Sequence, residues 1–465
     1  MEKTSIESIV KATKGVLVKR GSENYITGVK HDSRDCEAGD LFVAVIGENQ
    51  DGHGYIPQAL ERGCRTVLVS HTDGGWYDDV MDMDVNIIKT DDTVYAMGQL
   101  AGYYLDSLDV IKVAVTGSVG KTTTRDMIYY ALSEKYRCGK NLKNFNNDVG
   151  LPLSIFRFDS SMQAVVLEMG MDHFGEIDRL GEIVKPNVAV ITNIGVSHIE
   201  NLGSREGIFK AKMEIAGHIT DHKAFKGALV FPWDEEFLTR ERTRGYYDQI
   251  MIGENGRSDY IISDIDDFGL DGIQFTLEHM ERSRRIDIKI AGRHNAVNAS
   301  LAIAVSNILG LSTDEAQRGL LKTELTGSRL RHVSGNGISI IDDTYNASPD
   351  SMKSALKVLE QSSCSGKKTA ILGDMYELGT QSGRQHHGVG VFARGLKIDN
   401  VIAVGENAKD IAEGAGGGDI NVMHFDEKEE LYARLKELVH SGDIILVKGS
   451  RGMKMEQIVD KLLEI

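Results

Sequence analysis

Residues 113–128, VAVTGSVGKTTTRDMI, pass from an apolar strand pattern through a two-glycine turn into a helical pattern. Backbone N–H groups at a helix N-terminus, backed by a lysine, form a site for phosphate. Gly117, Ser118, Val119, Gly120, Lys121, Thr122 and Thr123 supply such a turn. Lys121 is placed to reach terminal phosphates, and the Thr122 hydroxyl to bind Mg2+. The standard phosphate loop carries a further glycine five residues before that of the GK pair; here Val115 stands at that position. An ordinary glycine turn capped by threonine would not combine strand, GxxGKT and helix in succession. A nucleotide site in an α/β fold is therefore expected.

Around this loop, the apolar runs IKVAVT, QAVVLEMG and NVAVITNIG alternate with helical stretches, the signature of a parallel sheet with crossover helices. The helical pattern GRHNAVNASLAIAVSNILG closes that unit. Beyond it, GISIIDD, KTAILGDM, NVIAVGE and DIILVKGS are four apolar strands separated by amphipathic helices, a doubly wound pattern. At the start of the chain DLFVAVIG and RTVLVS read as strands, and YIPQALERG as a short helix closed by Gly63. The expected architecture is α/β in three domains. Residues 1–85 form a small N-terminal domain, 86–326 a central nucleotide-binding domain with a linker helix at 92–108, and 327–465 a C-terminal Rossmann-like domain. A length of 465 residues agrees with about three domains at roughly 150 residues each.

Composition excludes several classes. With 53 basic and 69 acidic residues the formal charge is −16, and no basic stripe interleaved with aromatics is present, so nucleic acid is not an expected partner. No run approaches the roughly 18 apolar residues of a membrane span, and the first residues lack the apolar core of a signal peptide. A cytoplasmic protein is expected. Cys36, Cys64, Cys138 and Cys364 show no ligand spacing, which excludes a disulfide framework or zinc site.

Other residues carry chemistry at expected strand ends. Glu168 closes QAVVLEMG, where a carboxylate helps hold the metal of a nucleotide site. His198 lies just past NVAVITNIG, and the two are expected on neighbouring strand ends, converging with Thr122. In AGRHNAVNAS, Asn295 and Asn298 share one helix face, suited to adenine and its surroundings. Ser33 and Arg34 sit in a polar turn suited to a pyrophosphate or uracil, with His53 of DGHGYI in the same pocket.

TGSVGKTTT, NNDVGLPLS, EMGMDHFGEI, TNIGVSHIENLGS and KAKMEI together resemble the central domain of the Mur ligase family, which makes amide bonds in peptidoglycan synthesis at the expense of ATP. The family's loop has the form TGxxGK[ST], which accounts for Val115. HDSRDCEAGDLFVAVIGENQDGHGYI resembles the N-terminal domain of two of its branches. IDDTYNASPDSM, LGDMYELG and LVKGSRGMKME are similar to the C-terminal domain of the branch that adds D-alanyl-D-alanine to UDP-N-acetylmuramoyl-tripeptide. The branch that adds a diamino acid has Tyr-Ala-His where this chain has Tyr345-Asn346-Ala347. Departures are Ser348 before Pro349 in place of asparagine, Ser197 in place of alanine, and FPWDEEF in place of an asparagine-containing turn.

The resemblance implies that ATP phosphorylates the tripeptide carboxylate and that the dipeptide amine then displaces phosphate, a step in cell-wall synthesis on which cell shape and division depend. It implies catalytic roles for Lys121, Glu168, His198 and Lys212, with one Mg2+ on Thr122 and Glu168 and a second near His198. Lys212 matches a lysine carbamylated in relatives, with Lys210 beside it as a rival. Asn295, with Asn298, would meet adenine; Arg329 the ATP phosphates; Asp343 the ribose or metal. Asn146, Asn147, Tyr345, Asn346, Lys448 and Arg451 are substrate or closure contacts. The partners are small molecules, the chain is expected to be a monomer, and closure of the domains around ATP is expected. The alternatives are a ligase of this type with another amine, including a folylpolyglutamate synthetase-like enzyme, or a phosphate-loop ATPase that drives a domain movement.

Overall fold

The computed structural model describes every residue except Lys143, Glu235 and Ile465. Among the described residues, three large sheets divide the chain, and each is covered by helices. The first is five-stranded, in the order Val16–Lys19, Asn86–Lys89, Thr66–Val69, Asp40–Val43, Gly28–Lys30. Only the Val16–Lys19 edge is antiparallel. Its middle strands DLFV and TVLV are buried at every position, as parallel strands covered on both faces are.

The helix Thr93–Ser107 begins at Asp92, whose carboxylate accepts the Val94 and Tyr95 N–H groups. It is more than a linker. Met97, Leu100 and Leu105 share one core with Ile6 and Ile9 of the first unit and with Ile177, Leu180 and Ile183 of the second. The first two units are thus joined through apolar packing.

The second sheet is nine-stranded: Arg282–Ile288, Ile273–His279, Tyr260–Asp267, Asp248–Gly253, Ala228–Pro232, Val188–Ile191, Ile111–Thr116, Ala164–Glu168, Cys138–Lys140. The strand leading into the glycine turn is central. Glu168 pairs in register with Val115 on one side, and Ile191 with Thr116 on the other. Glu168 and His198 therefore do not sit on adjacent strand ends, as expected from the sequence; they flank the loop strand. The antiparallel strands Ile273–His279 and Arg282–Ile288 extend the sheet beyond the three expected apolar runs. RSRRIDI is exposed at most positions, so its apolar signal is weak.

The third sheet runs Arg331–Gly335, Ile338–Asp343, Ile444–Lys448, Lys368–Gly373, Asn400–Val404, Asn421–Phe425, with only the first strand antiparallel. It contains the four expected strands and adds one at each edge, the polar Arg331–Gly335 and the half-buried Asn421–Phe425. Among the described residues, no helix is long and apolar enough to cross a membrane.

The helix behind the glycine turn, Lys121–Leu132, packs on Asn295–Ile308 and Thr313–Leu320. Gly319 makes the second contact possible, because a Cβ there would lie 2.3 Å from the Tyr130 carbonyl oxygen and 2.5 Å from Ala131 Cα. Gly319→Ala is expected to destabilise the protein by about 1–3 kcal/mol through overpacking, seen as a lower urea midpoint at unchanged slope.

Candidate active site

The two glycines of the turn are required by shape. Gly117 has φ +148°, and a Cβ on it would stand 1.9 Å from Thr192 Oγ1; Gly120 has φ +83° and faces Asn298. Asn193, absent from the sequence expectations, organises the turn between them. Its Oδ1 accepts the N–H of Ser118 at 3.0 Å and of Val119 at 2.9 Å, while the Thr192 hydroxyl donates to the Val119 carbonyl at 2.6 Å. Ser118 and Val119, expected to contribute to the phosphate-binding turn, instead have their amides turned into the protein. The first-turn amides of the helix have no intrahelical partner, the arrangement that suits a helix N-terminus to an anion.

Lys121 folds over this turn, its Nζ donating to the Gly117 carbonyl at 2.8 Å. Burial pushes its pKa down, opposed by the Glu168 carboxylate. Glu168 itself is 3 % exposed. The Thr122 hydroxyl donates to its Oε2 at 2.7 Å, Asn146 Nδ2 to its Oε1 at 2.8 Å, and Arg125 Nη1 lies 3.5 Å from Oε2. Asn141 clamps the Glu168 backbone in both directions, accepting its N–H and donating to its carbonyl, each at 3.0 Å. Thr122 and Glu168 are thus adjacent, as a shared metal requires. Asn147 caps the next helix, its Oδ1 accepting the Gly150 N–H at 2.8 Å.

His198 adopts φ +63°, and its Nδ1 lies 2.9 Å from both Asp172 Oδ1 and Glu377 Oε2. Burial opposes its charging, but the two carboxylates outweigh burial and its pKa is raised. The three ligand atoms fall within 4.8 Å of one another, a spacing compatible with a cation. Glu377 belongs to the third unit, so this cluster spans the domain interface. Neither Asp172 nor Glu377 was expected.

Lys212 and Lys210 are separated by environment. Lys210 is exposed, with its ammonium 3.8 Å from Glu206. Lys212 is 1 % exposed within Arg205–Met213, and burial, followed by the charge of Lys121, pushes its pKa well below the ordinary lysine value. An uncharged amine is what capture of CO2 needs.

A cleft of about 880 Å3 joins the second and third units. Ser118, Val119, Gly120, Lys121, Thr122, Thr123, Asn146, Asn147, Glu168, His198, Asn295, Asn298, Arg329, Asp343, Tyr345, Asn346, Lys448 and Arg451 all line it. Trp233, Leu238 and Leu325 are wall residues that motif reading missed, because apolar side chains in a turn carry no motif. Asn295 and Asn298 bind each other first: Asn298 Nδ2 donates to Asn295 Oδ1, and Asn295 Nδ2 to the Ala291 carbonyl, both at 2.7 Å. The Arg329 guanidinium lies 3.6 Å above the Tyr345 ring. Lys448 pairs with Asp343 at 2.7 Å and donates to the Asn346 carbonyl at 2.8 Å. Burial pushes the Asp343 carboxyl up, with Lys448 pulling it back.

Ser33, Arg34 and His53 lie outside this cleft. The Ser33 hydroxyl donates to Gln58 Oε1 at 2.6 Å, and Arg34 pairs with Asp32 at 2.6 Å. His53 is 1 % exposed; its Nε2 accepts the Ser70 N–H at 3.0 Å, which leaves Nδ1 to donate to Asp51 Oδ1 at 2.6 Å. With both ring nitrogens engaged, His53 braces its turn instead of lining a pocket as expected.

Comparison with known proteins matches three family models in order: Mur ligase family, catalytic domain, at residues 25–104; Mur ligase middle domain at 115–306; and Mur ligase, glutamate ligase domain, at 328–451. The UDP-N-acetylmuramoyl-tripeptide–D-alanyl-D-alanine ligase of Bacillus subtilis is 40 % identical over 100 % of this chain and 99 % of its own length. Among solved structures, MurF of Acinetobacter baumannii superposes with a TM-score of 0.90 at 32 % identity, covering 100 % of both chains. MurF of Thermotoga maritima in complex with ADP gives 0.81 at 28 % identity, covering 94 % of this chain and 97 % of that one.

Below the loop, Asp126 is fully buried against Arg125 at 2.7 Å and Lys140 at 2.8 Å. Burial alone would raise its pKa, but the two cations overcome that and lower it below 3.8. Its ionised form therefore adds stability that is complete above pH 3.8 and disappears as pH falls through the lowered folded value. Wild type is expected to lose more stability than Asp126→Asn between pH 5 and pH 2, with urea midpoints as the measurement.

Proposed function

The chain belongs to the Mur ligase family, and we propose that within it the protein joins D-alanyl-D-alanine to UDP-N-acetylmuramoyl-tripeptide, forming the peptidoglycan precursor. The observation that carries this is the end-to-end identity with the Bacillus subtilis ligase of that name. The cleft supports it: a phosphate-binding turn and basic side chains of the third domain face one another across a space that includes buried carboxylates.

A carboxylate does not condense with an amine in water unless its oxygen is first made a leaving group. ATP serves here as phosphoryl donor. The terminal carboxylate oxygen of the tripeptide attacks the γ-phosphorus, the bond to the β-phosphate oxygen breaks, and ADP departs. The dipeptide amine then attacks the acyl carbon, inorganic phosphate leaves, and the nitrogen loses its proton to give the amide. Such chemistry depends on placement and charge neutralisation.

In this scheme the amides of Gly120 to Thr123 and the Lys121 ammonium hold the β- and γ-phosphates. Thr122 and Glu168 would hold one Mg2+ and His198, with Asp172 at hand, a second; the metal supplies charge neutralisation on the transferring phosphoryl group. Asn295 and Asn298 present a pre-ordered amide pair to the base. Arg329 reaches the phosphates, and Tyr345, Asn346 and Arg451 receive the dipeptide. Ser33 and Arg34 hold the nucleotide end of the muramoyl substrate. The buried Lys212, whose amine burial and the charge of Lys121 push toward the neutral form, is suited to carbamylation, which would place an anion beside Lys121.

Phosphate release is expected only when ATP, UDP-muramoyl tripeptide and D-alanyl-D-alanine are all present. Release from ATP alone would instead mark an ATPase. Lys121→Ala is expected to abolish turnover, by at least about 100-fold, while thermal unfolding stays within a few degrees of wild type. Lys212→Ala should lose activity and recover part of it with added short carboxylic acids; no recovery would remove the carbamate from the scheme.

A further inference from the structure

Arg125 is the largest side chain with no solvent exposure among the described residues. A buried guanidinium is costly unless its fork of donors is matched by acceptors. Its Nε and Nη2 donate to Asp126 Oδ1 at 3.0 and 2.7 Å, Nη2 also donates to Thr326 Oγ1 at 2.8 Å, and Nη1 faces Glu168. Asp126 completes the grip, its Oδ2 accepting the Thr326 N–H at 2.7 Å.

Thr326 is where the chain leaves the second unit. Gly327 follows with φ +81°, where a Cβ would stand 3.1 Å from both Arg329 and Tyr345. Arg329 in turn donates to the Thr326 carbonyl. One ion pair, rooted on the helix behind the phosphate loop, thus holds the carboxylate on the cleft floor at one end and the root of the interdomain connection at the other. The motif reading ended at Thr123 and took no account of the two residues that make this link.

We propose that Arg125 and Asp126 are positioning residues that set the register between Glu168 and the hinge at Thr326 and Gly327. Closure of the third domain then delivers Arg329 at a fixed distance from the phosphate loop. The consequence for catalysis rests on the ligase function proposed above; the mechanical link does not. If the pair served core packing alone, substitutions in it would lower stability and leave kcat and the scattering of the folded protein as in wild type.

A double-mutant cycle separates these cases. Arg125→Lys keeps the charge but cannot reach both Thr326 and Glu168, and Thr326→Val removes only the hydroxyl acceptor. In the full-length protein each is expected to lower kcat about 10-fold, with the double variant no worse than about 10-fold in all, because both break one link. Mn2+–ADP affinity, followed by electron paramagnetic resonance, should stay within about 3-fold of wild type for Thr326→Val, so that kcat falls without a loss of nucleotide binding. Small-angle scattering with Mn2+–ADP gives a second cycle that needs no turnover: both singles and the double should show the same rise in radius of gyration. Losses that multiply to about 100-fold, or singles that match wild type in kcat and in scattering, overturn the proposal. If wild type fails to ligate while the scattering cycle remains non-additive, the ligase function falls and the hinge link stands. Should Arg125→Lys not fold, Asp126→Asn replaces it in both cycles.

Discussion

A carboxylate enclosed at the edge of a parallel sheet, as Glu168 is, must be met by donors on all sides, since an unpaired buried charge costs several kcal/mol. Its donors come from separate stretches of chain: Thr122 from the loop helix, Asn146 from the segment before Gly150, and Arg125 from the next turn of the loop helix. Asn141 fixes the backbone beneath. Each partner is thereby placed relative to the strand carrying the phosphate turn. The same carboxylate that makes the site chemically useful is what makes its local packing specific, and the ion pair behind it extends that order to the chain leaving the domain.

Much of this was legible in the sequence because strand, turn and helix each leave a local pattern. The apolar runs at 111–116, 164–168 and 188–191 are buried strands, and GxxGKT is the turn between a strand and a helix. Strand order is not local. The sequence placed Glu168 and His198 side by side, whereas the loop strand separates them. The residues missed have a common character. Apart from Asp126 beside Arg125, the partners through which Asn193, Asp172, Glu377 and Arg125 act lie between 26 and 201 positions away, so no spacing rule reveals them.

Lysines 210 and 212 illustrate the same limit in chemical terms. Both sit in one helical turn of KAKMEI, and only their surroundings distinguish an exposed ammonium from an amine deprived of water. A helix advances about 100° per residue, so two positions apart place side chains on opposite faces. One face of Arg205–Met213 is solvent and the other is the domain core. What motif resemblance assigned to Lys212, packing makes chemically reasonable.

Charge also explains why the third domain is needed over the cleft. Burial lowers the proton affinity of both Lys121 and Lys212, and the charge of Lys121 lowers that of Lys212 further, so the floor of the site holds less positive charge than its lysines suggest. From above, Lys448 is balanced by Asp343 at 2.7 Å, and Glu377 brings a negative charge to His198. Arg329 differs: it rests on the face of Tyr345, a contact that attracts a cation from out of plane, and of its in-plane donors Nη1 is held by the Thr326 carbonyl. A polyphosphate entering the cleft would meet that fork from the third domain and the helix amides from the second. The anion then bridges the two domains, and its charge favours the protonated Lys121 that burial alone disfavours.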